Sequence, residues 1–211
     1  IMGQPYEKPD KRSFELNHVG VKAPQFSFTR LDGADPTTGV EMASTGEVGC
    51  LGGDFNEAFI KSLLSVGYRR PVRSMLLSVG TIENKSGMLS AFERFKELGI
   101  KLFATEGTHK FLAERGIEAE LADWPLESDS PESAVERLRN GEIDLVINIP
   151  SADKEEELTN GYRIRRAAID FNVPLITNRQ IGERLSEAMW AVRRGGVELE
   201  IKSWREYTSA V

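Results

Sequence analysis

Residues 75–112 read MLLSVGTIENKSGMLSAFERFKELGIKLFATEGTHKFL. The stretch opens on a short apolar run, Met75 to Val79, and passes into Met88, Phe92 and Phe95 at helical spacing before Gly99. It then starts again with Leu102 to Ala104, followed by Phe111 and Leu112 before Gly116. An apolar run too short for a helix, followed by a 3.6-residue periodicity, predicts strand then helix. Ala119 to Leu121, Leu145 to Ile147 and Leu175 to Thr177 are further strand candidates. The helices around them are Ala134, Val135 and Leu138, entered through Ser130 and Pro131 and stopped by Gly141; Tyr162 to Phe171; and Ile181, Leu185, Ala188, Met189 and Val192, stopped at Gly195 and Gly196. Five strands alternating with helices predict an α/β fold, a parallel sheet covered on both faces with right-handed crossovers.

The chain before this pattern is different. Phe26, Phe28 and Thr29 to Leu31 predict a strand, turn residues follow at Asp32, Gly33, Asp35 and Pro36, and a polar run extends from Glu41 to Glu47. Asp54 with Glu57 three residues on predicts a capped helix start, with Phe55, Phe59, Leu63 and Val66 on one face until Gly67. One strand and one helix cannot enclose a core, so this part must lean on a neighbour missing from this chain or on the second part. Arg69, Arg70 and Pro71 mark the joint, which divides the chain into 1–70 and 71–211.

Composition narrows the function classes. With 211 residues, 40% hydrophobic, the chain is long enough for one large or two small domains. Its 27 basic and 33 acidic residues give a net charge of −6 without a basic cluster, which argues against nucleic acid. One cysteine, Cys50, and two histidines are too few for an intramolecular disulfide or a structural zinc site, and fit a reducing compartment such as the cytoplasm. No apolar run reaches the roughly 20 residues of a membrane span, and Ile1 to Lys11 is too polar for a secretory signal. The abrupt start at Ile1 suggests a piece of something longer.

Ligands of parallel sheets sit outside the carboxyl ends of the strands, so those loops are the ones to inspect. Ala104 to Thr108 joins a strand directly to a helix. Gly107 lets a ligand approach the backbone, while Thr105 and Thr108 flank it with hydroxyls, and Thr108 can serve as the helix N-cap. A phosphate or carboxylate would suit the loop; the bland alternative is a cap and a turn. Asn148 ends a strand with a donor and an acceptor, and Ser151 adds a hydroxyl three residues on. Lys85 stands where the first helix of the second part begins, where a cation opposes the helix dipole and invites an external anion, or is simply solvated. Trp124, before Pro125, is an apolar wall or a core plug. Arg163, Arg165 and Arg166 cannot all face one site from one helix, and Lys154 to Glu157 reads as a solvated loop. His18 and His109 stand alone, and there is no P-loop, dinucleotide glycine fingerprint or nucleophile elbow.

The run FSFTRLDGADPTTGVEMASTGEV at residues 26–48 resembles the end of the second ATP-grasp unit of carbamoyl-phosphate synthetase large chains. From about Ser74, the segments LLSVG, LFATEGT, DLVINIPS, YRIRRAAID and VPLITN resemble, in order and spacing, the methylglyoxal-synthase-like regulatory domain of the same family. The resemblance implies a five-stranded parallel Rossmann-like sheet preceded by a partial α+β segment of an ATP-grasp domain. It implies a parent ligase that makes carbamoyl phosphate from bicarbonate, ammonia and ATP with Mg²⁺, and that serves pyrimidine and arginine biosynthesis beside a glutamine amidotransferase small subunit. ATP and metal sites would lie upstream, leaving this piece without catalytic residues, cofactor or metal of its own.

The family's effector contacts carry over by motif to Thr105, Gly107, Thr108, Asn148 and Ser151. Lys85 stands where members inhibited by pyrimidine nucleotides use a lysine on phosphate, and Trp124 where members activated by N-acetylglutamate use a tryptophan. Gly161 stands where the latter have an asparagine, and the stretch after Ser151 is acidic here. A small anionic effector is therefore expected, with a uridine nucleotide slightly favoured over N-acetylglutamate. The competing functions are a methylglyoxal-synthase-type lyase, for which Asp129 is the only carboxylate near the matching loop, and an oligomerisation module that meets its own copies with an empty pocket.

Overall fold

A computed structural model describes residues 3, 16–37, 46–69, 71–125, 130–150 and 155–209, with backbone alone at 155–158 and 208–209. Five parallel strands, β3 (Ser74–Val79), β4 (Lys101–Ala104), β5 (Glu120–Leu121), β6 (Leu145–Ile149) and β7 (Leu175–Ile176), form one sheet in the order β5-β4-β3-β6-β7. All five were expected within two residues of these bounds. The chain runs outward from β3 to β5 and then crosses back to β6, so the strand order reverses between β3 and β6. That reversal opens a crevice beyond their carboxyl ends.

Alternation along the strands sorts the core into two faces. Met75, Leu77 and Val79 of β3 and Leu145, Ile147 and Ile149 of β6 share one cluster with Phe92 and Phe95 of α3 (Leu89–Glu97), Phe111 and Leu112 of α4 (Glu106–Ala113), and Leu185 and Ala188 of α7 (Arg179–Arg193). Leu76, Phe103 and Val146 point the other way, against Leu138 of α5 (Ala134–Arg139) and Ile164 and Ala168 of α6 (Glu155–Asp170). Ser78 and Asn148 are paired in register and have the parity of this second face. That parity places Asn148 under α6.

Several local expectations are corrected. The helix expected through Met88 is broken there into α2 (Ile82–Gly87) and α3, with Met88 fully buried between them. Phe28–Arg30 is a 3₁₀ turn, not a strand. The strands of the first part are instead β1 (Val19–Gln25) and β2 (Gly46–Gly52), antiparallel to one another. Glu155–Glu157, expected as loop, begin α6. A short helix α8 (Trp204–Ser209) was not foreseen; its Tyr207 donates to the carbonyl of Leu51 at 3.2 Å and accepts from Lys61, which also pairs with Glu57.

Between β2 and α1 (Phe55–Ser65) the expected cap is present. Asp54 Oδ1 accepts from the amide of Glu57 at 2.9 Å, and the Glu57 carboxylate accepts from Gly53 at 2.7 Å. The turn also needs Gly52. A Cβ there would lie 2.5 Å from the Ala58 nitrogen and 2.9 Å from the Asp54 oxygen, both backbone atoms that cannot rotate away. Gly52→Ala is expected to cost about 1–3 kcal/mol in urea denaturation, the usual penalty of overpacking. Gly53→Ala, whose Cβ would meet only the Glu57 carboxylate at 3.5 Å, should change the midpoint far less. Phe59 and Ile60 of α1 enter the first core cluster, so of the two neighbours the sequence allowed, the second part is one on which this helix packs. Among the described residues no helix is long and apolar enough to cross a membrane.

Candidate functional site

Outside the carboxyl ends of β3, β4 and β6, at the point where the strand order reverses, lies a cavity of about 240 Å³. Six of the seven residues singled out from the sequence line it: Lys85, Thr105, Gly107, Thr108, Trp124 and Asn148. Ser151, and with it Asp129, lies outside the described residues. Their convergence follows from topology, since parallel strands deliver every strand-to-helix loop to the same edge.

Their roles differ from expectation in two places. The N-cap of α4 is Thr105, in extended backbone conformation with no side-chain bond to the helix. Thr108 lies inside the helix, buried, and its hydroxyl accepts from the Val79 amide at 3.0 Å and donates to the Val79 carbonyl at 3.2 Å. It fastens α4 to the end of β3. Lys85 is in the last turn of α2, a favourable place for a cation, rather than at the start of a helix. No helix dipole opposes its charge there; the ammonium folds back, donates to Gly80 O at 2.7 Å, and faces the cavity. A Cβ on Gly107 would stand 3.5 Å from that ammonium, so glycine keeps the space beside the charge open.

Trp124 packs half-buried against the second core cluster, as a core plug would, and also lines the cavity. Asn148 is buried, and its side-chain oxygen accepts from Arg165 at 2.8 Å.

Lys110, Gly161 and Arg165 also line the cavity; the sequence reading passed over Lys110, named Gly161 only through the family resemblance, and left Arg165 undistinguished among three arginines of one helix. Lys110 follows Gly107 by three residues and shares its helix face, a spacing that could have placed it. Arg165 is 2% exposed, whereas Arg163 of the same helix is exposed and Arg166 bonds to Asp170 at 2.5 Å. The clue was Gly161, one turn before Arg165: a Cβ there would come within 2.9 Å of the guanidinium. Three cations thus surround the cavity, with Glu106 the acid on its lining among the described residues. Such a set suits a small anion held by charge, hydroxyls and one aromatic wall.

Residues 87–177 match the family model described as the MGS-like domain. The chain is 43% identical over 197 residues to "Multifunctional protein URA2" of Saccharomyces cerevisiae, covering 90% of this chain and 9% of that protein. It is 38% identical to "Carbamoyl phosphate synthase large chain" of Archaeoglobus fulgidus, covering 93% of this chain and 18% of the relative. To the human mitochondrial carbamoyl-phosphate synthase (ammonia) it is 39% identical over 84% of this chain and 12% of the relative. The chain therefore spans between a tenth and a fifth of these relatives, or slightly less.

Proposed function

We propose that this chain, which carries an MGS-like domain and is related over most of its length to carbamoyl phosphate synthase large chains, is the regulatory region of such a ligase. In this reading residues 71–211 bind a small anionic effector, residues 1–70 are the tail of an ATP-grasp unit, and the chain itself turns nothing over. Carbamoyl phosphate synthesis, with its ATP and Mg²⁺, belongs to the rest of the large chain in the cytoplasm, beside an amidotransferase small subunit, for pyrimidine and arginine biosynthesis. The observation that carries the reading is the gathering of Lys85, Lys110 and Arg165 with Thr105, Asn148 and Trp124 around one cavity at the switch point of the sheet.

A uridine nucleotide is favoured because Lys85 and Lys110 offer two ammonium groups to one cavity, and a phosphate gathers its charge and acceptor oxygens on a single group that both can share, whereas the two charges of N-acetylglutamate sit on separate carboxylates. Thermal melts with uridine monophosphate and N-acetylglutamate test this. A ligand at about 100 times its dissociation constant stabilises the native state by roughly 2.7 kcal/mol, which should raise the melting temperature by about 5–10 °C for a chain of this size. Lys85→Met should weaken the nucleotide more than acetylglutamate, and Trp124→Ala the reverse. Flat melts with both ligands at millimolar concentration would sink the reading and favour a module that only meets its own copies.

A further inference from the structure

The guanidinium of Arg165 is shared between the two parts of the chain. Its Nη1 donates to Asn148 in the cavity, while Nε and Nη2 donate to the two carboxylate oxygens of Asp35 at 2.7 and 2.6 Å. Asp35 lies 130 residues earlier, at the end of the segment that follows β1. The same face of α6 holds that segment at further points. Tyr162 donates to Gly33 O at 2.8 Å, and Arg166 Nη1 donates to Leu31 O at 2.9 Å and Phe28 O at 3.2 Å. Residues 28–35 are therefore clasped by the helix that also presents Arg165 to the cavity.

The two ends of this contact are unequal. The Arg165 side chain is 2% exposed, and the Asp35 side chain is 36% exposed. A buried guanidinium must keep an anionic partner, because leaving a buried charge unpaired is costly. A carboxylate one-third in water can be released to solvent with much less loss. An anion arriving in the cavity offers Arg165 a second partner from the other side, and its charge opposes that of Asp35 across a few ångströms.

We infer that Asp35 is a built-in competitor for Arg165, so that anion binding in the cavity and docking of residues 28–35 on α6 oppose one another. The inference rests on the cavity being an anion site, and adds to it the contact through which its occupancy reaches the part of the chain ahead of β3. Linkage fixes the sign: whatever loosens the segment must tighten anion binding, and anion binding must loosen the segment by the same factor. Asp35 and Arg165 are positioning residues in this scheme, with Tyr162 setting how firmly the segment is held.

Calorimetric titration of the whole chain with uridine monophosphate, joined to hydrogen exchange, tests it. Asp35→Asn keeps the shape and removes the competing charge, and should raise affinity by about five- to tenfold, within the usual range of coupling between sites. Tyr162→Phe changes no charge and removes only the bond to Gly33, and should raise affinity by roughly twofold through docking alone. In the wild type, saturating nucleotide should speed amide exchange in residues 28–35 while slowing it in residues 105–108. A merely structural role for the clasp would lower affinity in both variants or leave it unchanged, and that result overturns the coupling while the anion site stands. Faster exchange absent from residues 28–35 on binding overturns it too. No heat and no protection at residues 105–108 in the wild type would remove the anion site, and the coupling with it.

Discussion

Phe92→Ala is expected to cost about 3–5 kcal/mol, the range for removing a fully buried phenyl ring. Phe92 is completely inaccessible, at the centre of the α3 face that meets β3, β4 and α7, with Met88 one turn before it and Phe95 one turn after, both also fully buried. Truncation removes the transfer free energy of the ring and leaves a void that close-packed neighbours fill only in part. For a chain of this length the midpoint should fall by about 6–20 °C. Phe171 supplies the control: it is 38% exposed just after α6, so Phe171→Ala should lose far less, by about 1 kcal/mol. Equal losses in the two variants, measured by urea denaturation, would contradict the placement of α3 against the sheet.

Phe92 also marks what was legible in the sequence. The spacing Met88, Phe92, Phe95 and the runs at Met75, Leu102, Ala119, Leu145 and Leu175 are local patterns, and every strand of the parallel sheet follows from those five runs. The site residues followed because a parallel sheet sends all its strand-to-helix loops to one edge. The illegible parts depend on partners far along the chain. β2 reads GEVGCLG, three glycines without an apolar run, and is a strand because it pairs with β1 from Val19 to Gln25. Arg165 looked no different from Arg163 or Arg166, since what distinguishes it is Asp35 at a separation of 130 residues. Thr108 could be placed at the cavity from LFATEGT, but whether its hydroxyl faced ligand, helix or strand could not, because Val79 lies 29 residues away.

That hydroxyl leads to the second large effect. Thr108→Val is expected to destabilise the fold by about 2–4 kcal/mol, because Val79 loses its acceptor at 3.0 Å and a donor at 3.2 Å in a buried setting, and each buried polar group left unsatisfied costs about 1–3 kcal/mol. As a helix N-cap, the role first expected of it, Thr108 would have cost only about 1 kcal/mol. Thr108→Ser keeps the hydroxyl and should recover most of the loss. The consequence for ligand binding is reversed as well. A hydroxyl engaged twice with Val79 has its one proton committed, whereas the Thr105 side chain makes no bond to α4 and faces the same cavity. Thr105→Val should therefore weaken uridine monophosphate by about 1–2 kcal/mol, roughly fivefold to thirtyfold, with little change in the urea midpoint. Thr108→Val should show the opposite balance, a large fall in midpoint with a smaller change in affinity once the protein is held folded at low temperature. Denaturation and calorimetry of the three variants decide it: loss of affinity in Thr108→Val without loss of stability would return its hydroxyl to the ligand and dissolve the link between β3 and α4 on which the shape of the cavity depends.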